Sequence, residues 1–242
     1  MKVELIPVDT GAFGRPVLSL SEVSSADELT QIERDYLAEH RPMYVSTRVP
    51  LEDLVAIHRF EKQGFSFVEC QLRTMIRFRT EFDVSRHGYE YQRVTTHLEL
   101  DEVLEIASST IVHDRFSVDP EVPRGISGKR YEAYVRQSFQ RADEEVWRLY
   151  CPKEKRTLAF RTHRRVSKDE VLLLLGGVHP EFLALGLGVI SSHYCFNQMR
   201  KDGVKRAITH ISAINRPIFD LEVSHLGFRL QAAFAVLRKT YP

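Results

Sequence analysis

The stretch 171–189 contains the residue types and spacing best suited to binding a phosphate group. An uncharged apolar run, 171–175, is followed by two adjacent glycines and by Val178-His179-Pro180. Two further glycines, Gly186 and Gly188, then open a segment with helical spacing. A strand, a turn and the first turn of a helix direct several free backbone N–H groups at one point, where the helix dipole also attracts an anion. The stretch therefore predicts an anion-binding loop.

The glycine spacing differs from that of two familiar nucleotide-binding loops. The dinucleotide fingerprint needs three glycines in GxGxxG order, and the Walker loop needs Gly-Lys followed by Ser or Thr. Neither pattern occurs within 171–189. A structural alternative is that Gly186 and Gly188 serve only to let the helix pack closely against its neighbour.

Several other side chains have the chemistry to take up a proton or to attract an anion. His113, Asp114, His179 and His210 are candidate bases, and a histidine at a strand end is also a common hydrogen-bonded bystander. The run 161–165 holds three arginines and a histidine. It is either a solvated hairpin edge or a rim that attracts an anionic ligand.

The composition limits both the class of protein and its partners. The chain has 242 residues, of which 43% are hydrophobic and 28% charged, and its net charge is +1. These values are typical of a globular protein with no overall field to recruit nucleic acid or a membrane surface. Cys70, Cys151 and Cys195 form no CxxC pair, so we expect no disulfide framework, no metal site and a reducing, cytoplasmic location. No membrane-length apolar run and no export signal is visible.

Two predicted domains, 1–84 and 85–242, meet within the polar stretch 81–90. In the first, hydrophobic periodicity and glycine stops predict strands over 3–8, 43–47 and 65–78, and helices over 26–39 and 51–63. In the second, the same signals predict strands over 89–95, 145–150, 157–166, 171–175, 204–214 and 227–238, and helices over 99–108, 131–139, 187–201 and 217–225. The three strands between 145 and 175 form a predicted antiparallel meander.

A long irregular loop is predicted over 113–128, because this segment contains Pro120, Pro123, Gly125 and Gly128. Loops of this length inside a compact domain usually serve a function. We therefore expect it to cover a binding site.

The glycine loop and the order of elements together resemble the GNAT superfamily, the acetyl-CoA-dependent N-acetyltransferases. That family has Gln/Arg-x-x-Gly-x-Gly/Ala after a strand ending in Val-x-Pro, and here Gly186 and Gly188 follow Val178-His179-Pro180. Its second hallmark, an Asn followed about one helix later by Leu-Gly-Phe, is similar to Asn215 and Leu226-Gly227-Phe228. The resemblance implies an α/β (α+β) fold, with a mixed, mostly antiparallel sheet flanked by helices and a partial GNAT-like N-terminal domain.

The same resemblance implies where acetyl-CoA would bind. Backbone groups of Gly176 and Val178 would pair with the pantetheine arm, and Asn215 would contact that arm or the thioester. Asn215 is also well placed to cap a helix that begins near Pro217. The amides that would hold the pyrophosphate belong to Leu183, Ala184, Leu185, Gly186, Leu187 and Gly188.

A closer resemblance, over nearly the whole chain, is to the TDP-fucosamine acetyltransferase type, which acetylates a nucleotide-linked 4-amino sugar. His113-Asp114-Arg115-Phe116 matches the Arg-Phe that this group carries after its first helix. The resemblance implies that His113, Asp114 and Arg115 bind the acceptor. Arg115 would hold a phosphate through two hydrogen bonds, or it is a surface ion-pair partner.

Two residues depart from the family pattern. Leu183 stands where the family has Gln or Arg, and Val223 stands where it usually has a Tyr that acts as the acid. Either another group protonates the departing thiolate, or the thiolate leaves unassisted, or the chain no longer catalyses. The remaining candidates for catalytic residues are Asn215, Glu222, Ser224 and His179.

We therefore predict an enzyme that transfers an acetyl group from acetyl-CoA directly to a primary amine of a nucleotide-linked or antibiotic-type amino sugar. One alternative is an enzyme of the same fold that acylates another amine, such as an amino acid or a carrier-bound intermediate, or that uses a longer acyl donor. The other is a CoA-binding module without catalysis. The expected partner is a small-molecule amine, with no nucleic acid and no membrane, and a homodimer is compatible with the pairing of sheets in this fold.

Overall fold

The computed structural model describes residues 2–23, 25–37, 43–110, 115–122 and 125–241. Among them, ten strands form one sheet. The strands are β1 (Lys2–Leu5), β2 (Val17–Ser21), β3 (Met43–Pro50), β4 (Ser66–Arg77), β5 (Glu90–Arg93), β6 (Glu144–Cys151), β7 (Arg156–Arg165), β8 (Glu170–Val178), β9 (Arg206–Ser212) and β10 (Arg229–Tyr241). The α-helices are α1 (Pro7–Phe13), α2 (Ala26–Leu37), α3 (Leu54–Lys62), α4 (His97–Thr110), α5 (Arg115–Val118), α6 (Ile126–Gln140), α7 (Leu187–Lys201) and α8 (Arg216–Phe219). A 3₁₀ helix spans Pro180–Leu185 and a π-helix spans Asp220–His225.

The order of the strands across the sheet is β1-β2-β3-β10-β4-β9-β8-β7-β6-β5. The last strand of the chain, β10, therefore lies between two strands of the N-terminal half, and β4 lies between two strands of the C-terminal half. Most neighbours are antiparallel, whereas β2 with β3 and β8 with β9 are parallel. This is the predicted mixed, mostly antiparallel sheet flanked by helices.

Helices cover both faces of the C-terminal half of the sheet. Val103 of α4, Val135 of α6 and Phe160 of β7 belong to one buried cluster. Ala159, the neighbour of Phe160 along β7, packs on the opposite face against Leu187 of α7. Alternate residues of a strand point to opposite faces, so a single strand contributes to both cores.

The predicted meander is confirmed, because β6 pairs antiparallel with β7 and β7 with β8. The predicted helix 187–201 is also confirmed with the same bounds, Leu187–Lys201. Two glycines mark these limits, since Gly186 and Gly203 both adopt positive φ angles, +69° and +78°. Glycine tolerates this left-handed conformation, which separates a helix from the chain before or after it.

Two predictions about secondary structure are wrong. The strand predicted over 3–8 ends at Leu5, because Pro7 begins α1. The N–H groups in the first turn of a helix have no acceptor within the helix, so proline, which lacks an N–H, is tolerated there. Its fixed φ also suits that position. The loop predicted over 113–128 is not irregular throughout, since it contains α5 and the start of α6. The division of the chain into 1–84 and 85–242 stays a prediction.

Candidate active site

The parallel strands β8 and β9 separate part-way along their length. Their ladder consists of three residue pairs and ends at Leu172 opposite Ile208. Beyond this point β8 stays paired with β7, and β9 stays paired with β4. A cavity of about 640 Å³ opens between the separated strands, a size within the usual range for small-molecule sites. The edge of β8 that faces this opening has lost its sheet partner.

The glycine loop lies at the same opening. Gly188 and Leu183 line the cavity, and Gly186 precedes the first residue of α7. Val189 N donates to Gly186 O at 3.1 Å as the helix begins. The amides of Leu187 and Gly188 stand before this bond, where an α-helix has no internal acceptors for its N–H groups. These amides and the helix dipole favour an anion.

Arg161 crosses from β7 towards the start of α7. A guanidinium nitrogen, Nη2, lies 3.5 Å from Gly188 O and also bonds Ser192 Oγ. Gly176 is the residue opposite Arg161 in the ladder, and a Cβ there would stand 3.4 Å from Arg161 Cγ. Because Gly176 has no side chain, the side chain of Arg161 can pass over it towards α7 without a steric clash. Among the described residues, buried Nε of Arg161 has no hydrogen-bond partner, so this cation has a donor left for a ligand.

Close packing limits what can occupy position 188. A Cβ built on Gly188 would lie 3.3 Å from Leu221 Cδ2, which is tighter than an ordinary contact. Leu221 belongs to the π-helix, so the glycine loop and the π-helix approach each other across the cavity wall. A larger side chain at 188 would displace one of them.

The π-helix carries a buried carboxyl group into the cavity. Glu222 is 6% exposed and lines the cavity, and its Oε2 accepts a hydrogen bond of 3.2 Å from Thr74 Oγ1. Burial raises the pKa of Glu222 to about 7, although the charge of Arg161 and the bond from Thr74 act in the opposite direction. This carboxyl group can therefore exchange a proton near neutral pH.

Asn215 ends the loop after β9 and caps α8. Its Oδ1 accepts from Ile218 N at 3.3 Å, which satisfies one of the free amides of that short helix. The side chain also belongs to the cavity lining. The two roles that the sequence left open for Asn215, a cap and a residue at the site, are thus compatible in one position.

The far wall of the cavity is polar and comes from α5, α6, β4 and β9. Phe116 of α5 lies between two guanidinium groups, with Arg115 Cζ at 4.5 Å and Arg130 Cζ at 4.3 Å from its ring centroid. Arg130 Nε donates to Asp9 Oδ1 at 2.6 Å. The other polar residues of this wall are Glu69, Gln71, Tyr131, Thr209, His210 and Ser212.

Several solved structures with the same fold are described as GCN5-related N-acetyltransferases or GNAT proteins. The GCN5-related N-acetyltransferase from Sphaerobacter thermophilus superposes with a TM-score of 0.69 at 10% identity, over 99% of this chain and 76% of that chain. The tandem GNAT protein from the clavulanic acid biosynthesis pathway gives 0.65 at 11% identity, over 94% and 76%. The GCN5-related N-acetyltransferase from Kribbella flavida gives 0.62 at 15% identity, over 94% and 81%.

The chain has the GNAT fold. No protein-family model matches the sequence, and no curated protein is a significant match. At 10–15% identity the likeness to these structures establishes the fold alone. The chemistry must therefore be argued from the residues of this chain.

The GNAT cavity contains many of the residues that the sequence singled out. These are Gly176, Val178, Leu183, Gly188, Asn215, Glu222 and Arg115. Leu185, Gly186 and Leu187 belong to the adjoining loop. The side chain of Ala184, and all of His113 and Asp114, lie outside the described residues.

Two of the candidate catalytic residues lie away from the cavity lining. His179 Nε2 is 3.0 Å from Arg156 Nη2, and its Nδ1 accepts from Glu181 N at 3.4 Å as the cap of the 3₁₀ helix. Ser224 is exposed on the π-helix. Neither side chain is among those that line the cavity.

Several residues of the site were not singled out by the sequence. Glu69 and Gln71 of β4 line the cavity, although they belong to the N-terminal half of the chain. Glu69 is the one acidic residue of β4. The basic run 161–165 divides between the two faces of β7, since Arg161 enters the cavity whereas Arg164 Nη2 pairs with Glu144 Oε1 at 2.6 Å.

The described residues contain no group of three or more His, Cys, Asp or Glu side chains arranged to hold a metal ion. None of their helices combines the length and apolar character that crossing a bilayer requires.

Proposed function

We propose that this protein is an acetyl-CoA-dependent N-acetyltransferase that acts on a primary amine. The observation that carries the proposal is the separation of β8 from β9 with the glycine-led start of α7 at the opening. One edge offers backbone hydrogen bonds to an extended arm, and the helix start offers amides to an anion. Acetyl-CoA has both parts in one molecule, an amide-bearing pantetheine arm and a pyrophosphate.

The residues present fit such a donor. The free edge of β8 between Leu173 and Val178 would pair with the amides of the pantetheine arm, as an added strand pairs with a sheet edge. The amides of Leu187 and Gly188 would bind the pyrophosphate. The cap at Asn215 uses Oδ1, so the hydrogens on Nδ2 are the part of that side chain left for the arm or the thioester.

Glu222 supplies the proton transfer that the reaction needs. A neutral amine attacks the thioester carbonyl, so an N–C bond forms, the C–S bond breaks and the thiolate leaves. The Glu222 carboxylate takes the proton that the amine loses, and this proton then passes to the thiolate sulfur. A carboxyl group with a pKa of about 7 suits both steps near neutral pH. Glu222 would thereby take the role of the acid that the family usually assigns to a Tyr at the position of Val223.

For the acceptor, the sequence-based hypothesis is a nucleotide-linked or antibiotic-type amino sugar. The position of Arg115 in the cavity wall supports an acceptor with a phosphate, because guanidinium groups bind phosphate through paired hydrogen bonds. An amino acid is the second candidate, since its carboxylate would meet the same side chain. Homodimerisation stays a prediction, and light scattering tests it by measuring the molar mass in solution.

The first experiment is a calorimetric titration with acetyl-CoA, beside desulfo-CoA and ATP. We expect micromolar binding of acetyl-CoA, lost in Gly188→Glu because the new side chain meets Leu221 and places a negative charge beside the pyrophosphate. Gly11→Glu is the matched control. Gly11 lies on α1, and a Cβ added there meets no atom within 4 Å.

Release of the CoA thiol with a panel of amines then measures transfer. Binding without turnover of any amine would favour the CoA-binding module over the enzyme. No binding of acetyl-CoA to the wild-type protein would overturn the proposal.

A further inference from the structure

The wall of the cavity opposite the glycine loop has an excess of positive charge. Arg115 lines it, and Arg48 of β3 and Arg73 of β4 stand on the same face of the sheet, with β10 between their two strands. Arg48 pairs across β10 with Val236, which pairs in turn with Glu69, so Arg48 and Glu69 share a face. Three guanidinium groups therefore gather near one end of the cavity.

Other arginines of this region are already neutralised by carboxylates. Arg130 pairs with Asp9 at 2.6 Å, and Arg238 pairs with Asp119 at 3.0 Å. In the part of the chain that the structure describes, Arg115, Arg48 and Arg73 take part in no ion pair, and the buried Nε atoms of Arg115 and Arg73 have no hydrogen-bond partner. These donors are available to a ligand.

The neighbours of the three arginines respond to their charge. Burial, followed by the charges of Arg48 and Arg73, lowers the pKa of His210 to about 4, so the imidazole is neutral at physiological pH. Desolvation and the charge of Arg115 lower the pKa of Arg48 to about 10, against the opposing effect of Glu69. Burial is the largest cause of both shifts, and the neighbouring guanidinium groups add to it in the same direction.

We propose that the acceptor amine also carries an anionic group, a carboxylate or a phosphate, which the guanidinium groups of Arg115 and Arg48 bind beside Phe116. This inference rests on the proposed function. Arg115 is anchored over the Phe116 ring, and that ring packs edge-on against Phe13 at 5.2 Å between centroids. The guanidinium plane is thus held in place before the ligand arrives, which lowers the entropy lost on binding.

The charge of this wall favours one of the two kinds of amino sugar that the sequence left open as acceptors. A polycationic antibiotic-type sugar would need several acidic partners, whereas Glu69 and Glu222 are the only carboxylates among the described residues of the lining. It would also bring its ammonium groups near three arginines. A phosphate-bearing amino sugar or an amino acid places one anion on Arg115 and keeps one amine for Glu222.

Matched pairs of acceptors test this inference by calorimetry on the protein saturated with CoA. One pair is glucosamine 6-phosphate and glucosamine, and the other is methionine and methioninamide. Kanamycin represents the polycation. In at least one pair, we expect the member that carries the phosphate or the carboxylate to bind about tenfold tighter, or more, than the partner that lacks it. Which pair shows the difference distinguishes a phosphate from a carboxylate.

Variants then assign that difference to its residue. Arg115→Gln should reduce the preference to less than about threefold, and Arg115→Lys should retain part of it because the charge remains. Arg136→Gln, an exposed position on α6, is the matched control and should leave the preference unchanged. If Arg115→Gln also loses acetyl-CoA binding through misfolding, Arg48→Gln replaces it.

Two outcomes would overturn the inference while the proposed function stands. One is binding of acetyl-CoA with no difference between the members of either pair. The other is tighter binding of kanamycin than of either anionic amine. Loss of the proposed function has a different signature, because the wild-type protein would then fail to bind acetyl-CoA at all.

Discussion

Thr74 Oγ1 donates a hydrogen bond of 3.2 Å to Oε2 of Glu222, a residue 148 positions further along the chain. Thr74 is a fully buried residue of β4, and Glu222 lies on the π-helix near the C-terminus. A strand of the N-terminal half therefore orients the carboxyl group that we assign to proton transfer. Desolvation raises the pKa of this group to about 7 against the opposing effect of the hydrogen bond from Thr74, so protonated and ionised forms coexist near neutral pH.

We expect Glu222→Gln to abolish most of the transfer while acetyl-CoA still binds. The amide has the shape of the carboxyl group but cannot take a proton, so kcat should fall by about 100-fold or more. In the wild type, kcat should rise with pH through an apparent pKa of about 7, because only the carboxylate is a base. This rise should disappear in the variant. Ser224→Ala, on the exposed side of the same π-helix, is the control.

The same substitution should change how stability depends on pH. The pKa of Glu222 is higher in the folded protein than the ordinary value of 4.5, so folding favours the protonated form. This stabilisation is present below pH 4.5 and is lost as the pH rises through about 7. Urea unfolding of wild type and Glu222→Gln should show their difference in free energy shifting by about 3 kcal/mol over this range. A constant difference would mean that the carboxyl group is solvated.

Leu183→Arg should strengthen acetyl-CoA binding. Leu183 is 65% exposed, lines the cavity and stands where related loops carry Gln or Arg. A guanidinium there would meet the pyrophosphate, so we expect a gain of about three- to tenfold that shrinks at high salt. Leu185→Arg is the control, since Leu185 is 64% exposed in the same loop but outside the lining. Equal gains in both variants would indicate only a general charge effect.

Asp119→Asn should destabilise the fold strongly. The side chain of Asp119 is 0% exposed, and it accepts from Arg238 Nε and Nη2 and from Tyr44 OH at 3.0–3.2 Å. Removing this charge leaves Arg238 unpaired in a part-buried site, which costs about 3–5 kcal/mol. Chemical denaturation measures the loss. Asp169→Asn removes the partner of the exposed Lys205 and should have little effect; a similar loss in both would contradict the assignment.

Local signals made the glycine loop and α7 predictable from the sequence. Gly186, Gly203 and the basic residues that precede Gly203 define the helix without reference to any distant residue. The same holds for the cap at Asn215, because Pro217 follows it two residues later, in the first turn of α8. The pairing edge of β8 was expected only through the resemblance to the GNAT superfamily.

Residues whose role depends on distant contacts were not predictable in this way. Glu69 and Gln71 reach the cavity because β4 lies beside β9, and nothing in the local pattern of β4 indicates that neighbour. The hydrogen bond between Thr74 and Glu222 likewise joins residues far apart in the sequence. The burial of Asp9 in α1 against Arg130, 121 residues away, is a further contact of this kind.

The position of β4 has a consequence for any attempt to shorten this protein. Removal of the N-terminal half would leave β9 and β10 about 10 Å apart, with two facing rows of unsatisfied backbone groups. Such a fragment would self-associate through these open edges, whereas a chain nicked between 78 and 89 would stay assembled as two complementing pieces. Truncation would also carry away Glu69, Gln71 and Thr74. The N-terminal half is therefore an integral wall of the cavity, and a split version of the protein offers a direct reporter of its assembly.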